Sequence, residues 1–411
     1  MNVFGAIADD FTGATDLALM LRQSGHRVAV VIEDGGLSDT DLSELDAVVI
    51  ALKSRTASRE EAVAASLAAL ERLRSWGAVR FYVKYCSTFD STDSGNIGPV
   101  LDAVTDALGV SHCIVVPALP ANGRTVYQGH LFVGSDLLEN SSMRHHPLTP
   151  MKHSRVADLL RPQTPHTVDE IFRDIVRGGS AVLRDRLDRT DVRYSVIDAV
   201  DDDDLAVIGA ATVQDVLVSG GSGLATGIAG PGVDDASWVP PRNGRGAVLC
   251  GSVSTTSLAQ IADAALSQPV RQIDLAAAIA DPEATAEDLA TWVAAQAPDS
   301  FPVVCAARQA DDVQTLVLGV EVAPIVERVI ADVARMLVQE GVVCALVVAG
   351  GESSGAVVRS LNVEALRIGP QIAPGVCWST ADVSGQSLLL ALKSGNFGAL
   401  DLFSAAWKEL G

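Results

Sequence analysis

Over the first 120 residues, short apolar runs alternate with stretches of helical periodicity, an order that few folds satisfy. Val3–Ala8, 27–32, 47–52, 79–83 and Cys113–Val116 read as strands. Between them, 13–23, 58–75 and Ile97–Leu108 carry helical spacing. Strand–helix–strand alternation predicts a parallel sheet covered on both faces. The stretch 118–165, rich in Pro, Gly, Asn and His, lacks periodicity and predicts a functional loop region or a subdomain. The pattern resumes at 167–177, Tyr194–Ile197 and 203–214. Glycine and proline then accumulate over 220–246, and the later part, 231–246, reads as a domain boundary.

Beyond it the alternation restarts. Strands are expected at 247–250, 302–305, 344–348 and 387–392, and helices at 256–265, 286–295, 323–339 and 400–410. A chain of 411 residues exceeds one ordinary core. The expectation is two α/β domains, 1–235 and 245–411, each a largely parallel sheet flanked by helices.

Charge narrows the partners. The formal net charge is −21; from Arg245 onward 9 basic and 18 acidic residues give −9, leaving −12 before it. Acidity spread over both halves repels nucleic acid and anionic membrane. Six scattered cysteines form no C-x-x-C pair and sit mostly in apolar runs, so they read as small buried hydrophobes. The N-terminal MNVFGAIADD has no signal-peptide pattern and no run reaches the length of a membrane span, which predicts a cytoplasmic protein. Homo-oligomerisation stays open. His145-His146-Pro147 is a poor metal motif, because adjacent side chains diverge and no further ligand lies at spacing; no metal site is expected.

Ligands of open α/β sheets bind beyond the carboxyl ends of the strands. Five polar clusters follow predicted strands directly: Asp9-Asp10-Phe11-Thr12-Gly13, Lys53-Ser54-Arg55-Thr56, Lys84-Tyr85-Cys86-Ser87-Thr88, Pro120-Ala121-Asn122-Gly123-Arg124 and Gly350-Gly351-Glu352-Ser353-Ser354-Gly355. The chain has only five lysines, and Lys53, Lys84 and Lys393 fall at strand-end turns. Lys53–Arg55 and Lys84–Ser87 suit a carboxylate with hydroxyls, the guanidinium gripping the carboxylate as a fork. Asp9 and Asp10 precede a helix. An aspartate there can simply cap the helix; Thr12 can also cap it, freeing one aspartate as general base, and Asp9, nearer the sheet edge, is favoured over Asp10 for that role. All seven histidines lie at or before His166, so no histidine can act from the second half.

The Gly350 turn offers backbone N–H groups and a helix N-terminus to phosphate, although it matches neither Walker A nor G-x-G-x-x-G. Gly251-Ser252-Val253-Ser254 and Lys393-Ser394-Gly395-Asn396-Phe397-Gly398 are companion turns, and the three together suggest a nucleotide cleft. A dehydrogenase fits Glu33 after the second strand, but lacks the glycine fingerprint after the first.

IADDFTGATDLA (7–18), KYCSTFDST (84–92), GNIGPV (95–100), PALPANGRTVYQGHLFVG (117–134), MRHHPLTPM (143–151) and VAGGESSGAVV (348–358) resemble the four-carbon acid sugar kinases over essentially the whole chain. Within that family the sequence is most similar to the 3-oxo-tetronate 4-kinases, with D-threonate and D-erythronate kinases as relatives. The resemblance implies a sugar-acid domain followed by a nucleotide domain, with the active site in the cleft between them. It implies an acid site of Asp9, Arg55, Lys84, Tyr85, Cys86 and Ser87. The ATP site would comprise Ser254 or Ser252, Gly350, Gly351, Glu352, Ser353 and Gly395. ATP and Mg²⁺ are the expected cofactors. It does not assign the base; Asp9 or Asp10 follows from the residues. A non-catalytic nucleotide- or acid-binding regulator is the rival class.

Overall fold

The computed structural model describes residues 3–145, 149–233, 238 and 245–410. The chain divides into two compact units, Met1–Val233 and Asp234–Gly411. Most of the expected boundary 231–246, and His146-Pro147 of the histidine pair, lie outside the described residues.

In the first unit, eight strands form one sheet in the order Val28–Ile32, Ala47–Ala51, Val3–Ala8, Ala78–Lys84, Leu217–Gly220, Cys113–Val116, Tyr194–Ile197, Val168–Ile171. Every neighbouring pair is parallel. Val3–Ala8 and Ala47–Ala51 are buried along their whole length, as strands covered on both faces must be. The helix Arg59–Ser75 starts on a capping box in which Ser58 and Glu61 satisfy each other's backbone N–H. The stretch read as irregular holds a three-stranded antiparallel sheet: Arg124–Tyr127, His130–Val133 and Asp136–Leu137. Its first turn, Gln128-Gly129, has φ of 51° and 74°, the geometry of a tight hairpin turn. The buried Asp198 carboxylate accepts both turn N–H groups, at 2.7 and 2.9 Å.

In the second unit the strand order is Val270–Gln272, Val303–Cys305, Arg245–Cys250, Val343–Ala349, Gln386–Lys393, Val376–Val383, Ala365–Ala373. The first five are parallel and the last two attach antiparallel. Gln386–Lys393, expected to close the sheet, instead continues into an antiparallel meander. Pro370 and Gly369 interrupt the alternation of Ala365–Ala373, and tight turns at Gly375 and Gly385 (φ 73° and 80°) join the meander strands. The helix Val322–Gln339 buries Val326, Val329, Ile330, Val333 and Leu337, one face at three- and four-residue spacing. Pro282 begins the next-shorter helix, Pro282–Ala294, four residues earlier than expected, with Asp281 as its cap. The C-terminal helix is shorter than expected, Leu402–Ala405 passing into a tighter 3-10 turn, Ala406–Leu410.

Candidate active site

Strand register assembles the first cluster. Ala8 pairs with Ala51 on one side and Lys84 on the other, so the chains leave three adjacent strands at one level. The Asp9 N–H donates to the Lys84 carbonyl (3.2 Å), while the Asp9 carbonyl accepts from the Ser54 and Arg55 N–H groups at 3.0 and 3.1 Å. These backbone bonds bring Asp9, Arg55 and Lys84 together, as their strand-end positions predicted. The Arg55 guanidinium then forks onto Asp9, Nε to Oδ2 at 2.9 Å and Nη2 to Oδ1 at 2.8 Å, and Nη2 also donates to Asp10 Oδ1 at 2.6 Å. The guanidinium edge expected to grip a substrate carboxylate is thus turned onto the aspartates.

Asp10, not Thr12, caps the helix Phe11–Gln23: its Oδ1 accepts from the Gly13 N–H at 3.0 Å, and Thr12 lies inside the first turn. Burial pushes both carboxyls upward. At Asp9 the Arg55 charge and hydrogen bonds, aided by Lys84, outweigh burial and hold the group below the ordinary carboxylate value. At Asp10 burial, reinforced by the neighbouring Asp9 charge, outweighs Arg55 and holds it above. Two adjacent carboxylates thus acquire opposite proton affinities.

Lys84 is buried and its Nζ donates to the Tyr85 carbonyl at 2.9 Å; Lys53 is exposed. The Tyr85 ring faces the core, 5.3 Å from Phe89, with its hydroxyl 3.2 Å from Ser219 Oγ. What Tyr85 brings to the strand end is therefore its carbonyl, not its side chain. Cys86 Sγ lies 3.0 Å from Thr88 Oγ1, and burial pushes the thiol up to about 11. Ser87 lies beside Gly221, its Cβ 3.3 Å from where a side chain there would begin. A cavity of about 30 Å³ lies behind Asp9, Arg55 and Lys84. That is room for one or two waters and too little for a four-carbon acid, so an acid would have to sit elsewhere around the cluster.

The second unit repeats the device. Cys250 pairs with Ala349, and Ala349 with Lys393, so three turns leave the sheet side by side. They line a cavity of about 700 Å³ containing Gly251, Ser252, Gly350, Gly351, Glu352, Ser353 and Gly395, within the range of ligand pockets. Gly350, at φ 118°, precedes the helix Gly351–Ser360, whose N-terminus has no side-chain cap; its first N–H groups are therefore free for an anion. Ser254 caps the helix Thr255–Ala264 and donates to the Gly395 carbonyl at 2.7 Å. It braces the turn, while Ser252 lines the cavity.

Residues 4–228 match the family model described as a sugar-binding N-terminal domain, and 247–403 the one described as a nucleotide-binding C-terminal domain. A 3-oxo-tetronate kinase of Burkholderia multivorans is 45% identical, covering 99% of this chain and 97% of that protein. The Cupriavidus necator 3-oxo-tetronate kinase is 46% identical over 100% of this chain and 97% of its own. The chain belongs to the four-carbon acid sugar kinase family. A solved structure from Salmonella typhimurium LT2 superposes at TM-score 0.88 with 41% identity, covering 100% of both chains. That protein has been described as a tRNA synthase; the −21 charge of the present chain is ill suited to the long phosphate backbone of a nucleic acid.

As a member of this kinase family the chain is an ATP-using phosphotransferase with an alcohol acceptor. Several residues around the two candidate sites escaped sequence reading. Asp16 lies one turn beyond Gly13; its Oδ2 accepts from Ser222 Oγ, its Oδ1 is buried without a partner, and burial raises its proton affinity. Its place in the ADDFTGATD motif was the available signal. The far wall of the large cavity was also missed: Ala306, Val313–Leu316, Glu321–Ala323 and Val326. It is built on a hairpin, Leu316–Val317 with Val320–Glu321, turning at Leu318-Gly319 with φ 53° and 79°. No described helix is long and apolar enough to cross a membrane.

Proposed function

We propose that this chain phosphorylates the terminal 4-hydroxyl of 3-oxo-tetronate, with the first domain, 1–235, holding the acid and the second, 245–411, holding ATP. The observation that carries the kinase chemistry is the gathering of Ser252, Gly350–Ser353 and Gly395 on one large cavity. The triphosphate would lie on the Gly350 turn and the base against the apolar wall of Val253, Leu316, Val322 and Val326. The choice of acid rests on the full-length relatives named for that activity. D-Threonate or D-erythronate is the alternative acceptor.

Asp9, Arg55, Lys84, Cys86 and Ser87 would contact the acid. Arg55 keeps Nη1 outside its bonds to Asp9 and Asp10, and the buried Lys84 adds positive charge for the carboxylate. Asp10 is the better-placed base: its proton affinity is raised, and Oδ2 is not used in capping. The substrate oxygen attacks the γ-phosphorus, its proton passes to Asp10, and ADP leaves with the bridging oxygen. Positioning and charge neutralisation dominate such transfers.

Among the described residues no cluster of three or more His, Cys, Asp or Glu could hold a metal. Mg²⁺ needs no such cluster, since it binds through substrate phosphates with one or two carboxylates. Glu352, on the cavity, would be the protein's contribution, and the ion would neutralise charge on the phosphates. We place the chain in the cytoplasm, where ATP is available and its six free cysteines stay reduced. A coupled ADP-release assay across 3-oxo-tetronate, threonates and erythronates tests the assignment. Turnover of 3-oxo-tetronate above the others is expected; ATP-dependent turnover of none would overturn it.

A further inference from the structure

Lys393, the last residue of its strand, is 1% exposed. Its Nζ donates to Gln260 Oε1 at 2.8 Å, to Ser257 Oγ at 3.1 Å and to the Gly395 carbonyl at 3.1 Å. Three acceptors match the three N–H bonds of an ammonium and leave no role for a lone pair. All three are neutral, and among the described residues no carboxylate lies within ion-pair distance. A buried cation without a counter-ion is costly, and a structure that retains one invites an anion nearby.

The partners lead to the cavity. Ser257 Oγ, which accepts from Lys393, donates its one proton to Ser252 Oγ at 2.9 Å, and the Gly395 carbonyl accepts from Ser254 as well as Lys393. Ser252 and Gly395 both line the cavity. The charge therefore sits one hydroxyl behind the surface on which the triphosphate would lie. From the geometry we infer that Lys393 is the buried electrostatic anchor of the nucleotide, a positioning residue whose missing counter-ion is the polyphosphate itself. This inference rests on the nucleotide reading of the cavity.

Its acid–base behaviour should report the coupling. Burial lowers the ammonium to about 8, with the Cys250 thiol acting in the opposite sense. That thiol is itself pushed up to about 11 by burial, so it is neutral near pH 8. Asp263, on the Ser257–Gln260 helix, accepts from Ser404, and the Phe403 ring stands 5.5 Å from Nζ. A polyanion on the Ser252–Gly395 surface favours the charged amine and raises its pKa. At pH 8 nucleotide binding must then draw a proton onto Lys393.

The test is titration calorimetry of the intact chain with Mg²⁺ and a non-hydrolysable ATP analogue at pH 8, in two buffers of different ionisation enthalpy. Wild type should take up a fraction of a proton on binding. Lys393→Met should take up less, bind at least tenfold more weakly, and melt at a higher temperature without nucleotide. Ser257→Ala, which cuts the hydroxyl link and keeps the amine, should weaken binding while retaining uptake; it also serves if the Met variant does not fold. Equal uptake and affinity in wild type and Lys393→Met overturn the proposal, as does unchanged affinity in Ser257→Ala. If wild type binds no nucleotide at all, the cavity assignment fails instead.

Discussion

The Arg55 guanidinium is bonded edge-on to the Asp9 carboxylate, at 2.9 and 2.8 Å, and its Nη2 reaches Asp10 as well. One cation thus holds two adjacent carboxylates at the end of the first strand. Arg55→Ala leaves both without it. Breaking a fully buried pair costs about 3–5 kcal/mol; with these side chains 20–29% exposed, about 2 kcal/mol is expected after solvent screening. The loss should shrink when Asp9→Asn is added, and a double-mutant cycle by urea unfolding measures it; additive effects would contradict the coupling. The sign against pH follows from the lowered Asp9 pKa. Its stabilisation is present above the unfolded value of about 3.9 and is lost as pH falls through the lower folded value. Arg55→Ala should remove that acid-side dependence.

The opposite shifts at Asp9 and Asp10 make the base assignment testable. Asp10→Asn keeps a good cap, because asparagine serves at that position about as well as aspartate, yet removes the base. Steady-state kinetics should show kcat falling about 10²–10⁴-fold with the fold preserved. Asp9→Asn should act mainly on stability and on the acid's KM. A profile in which Asp9→Asn abolishes kcat and Asp10→Asn leaves it intact would exchange the two roles.

The sequence disclosed the first strands and their turns because an all-parallel sheet makes each strand a continuous apolar run and ends it at a polar cluster. Asp9, Arg55 and Lys84 could therefore be named from position alone. What position could not show was direction. Arg55 turns onto Asp9 rather than outward, and Tyr85 turns inward to Ser219. The capping role passed to Asp10 because its carboxylate reaches the Gly13 N–H. The antiparallel meander was hidden by Gly369 and Pro370, and the hairpin at Leu316–Glu321 by its brevity, two residues to a strand. Lys393 was legible as a scarce lysine at a strand end, but its burial without a carboxylate was not.

That hairpin supports a prediction about the nucleotide. Leu316 is 61% and Val253 42% exposed, although both line the large cavity. Apolar side chains left open on a cavity wall are what a flat heterocycle would cover. Covering part of each is worth about 1 kcal/mol, and an introduced charge would lose that and repel phosphate. Leu316→Asp should raise the KM for ATP about tenfold, by the same conversion of energy to affinity, with the acid's KM unchanged. An unaltered ATP KM would move the base to another wall.

Gly350 tests the phosphate seat most directly. Its φ of 118° lies where L side chains are strained, and a Cβ there would stand 3.2 Å from the Ser252 N–H nitrogen and from Ser353 Oγ. Gly350→Ala must either carry about 1–3 kcal/mol of backbone strain or turn the peptide away. In the second case the free N–H groups at the start of Gly351–Ser360 lose their common aim, and the anion site goes with it. In the first, stability falls while the groups stay in place. Paired measurements separate the outcomes: thermal melting for strain, and calorimetry with the ATP analogue for the seat. Nucleotide affinity should fall at least tenfold, with the fold intact and the acid's affinity little changed. A folded Gly350→Ala protein with wild-type nucleotide affinity would show that the triphosphate does not lie on this turn.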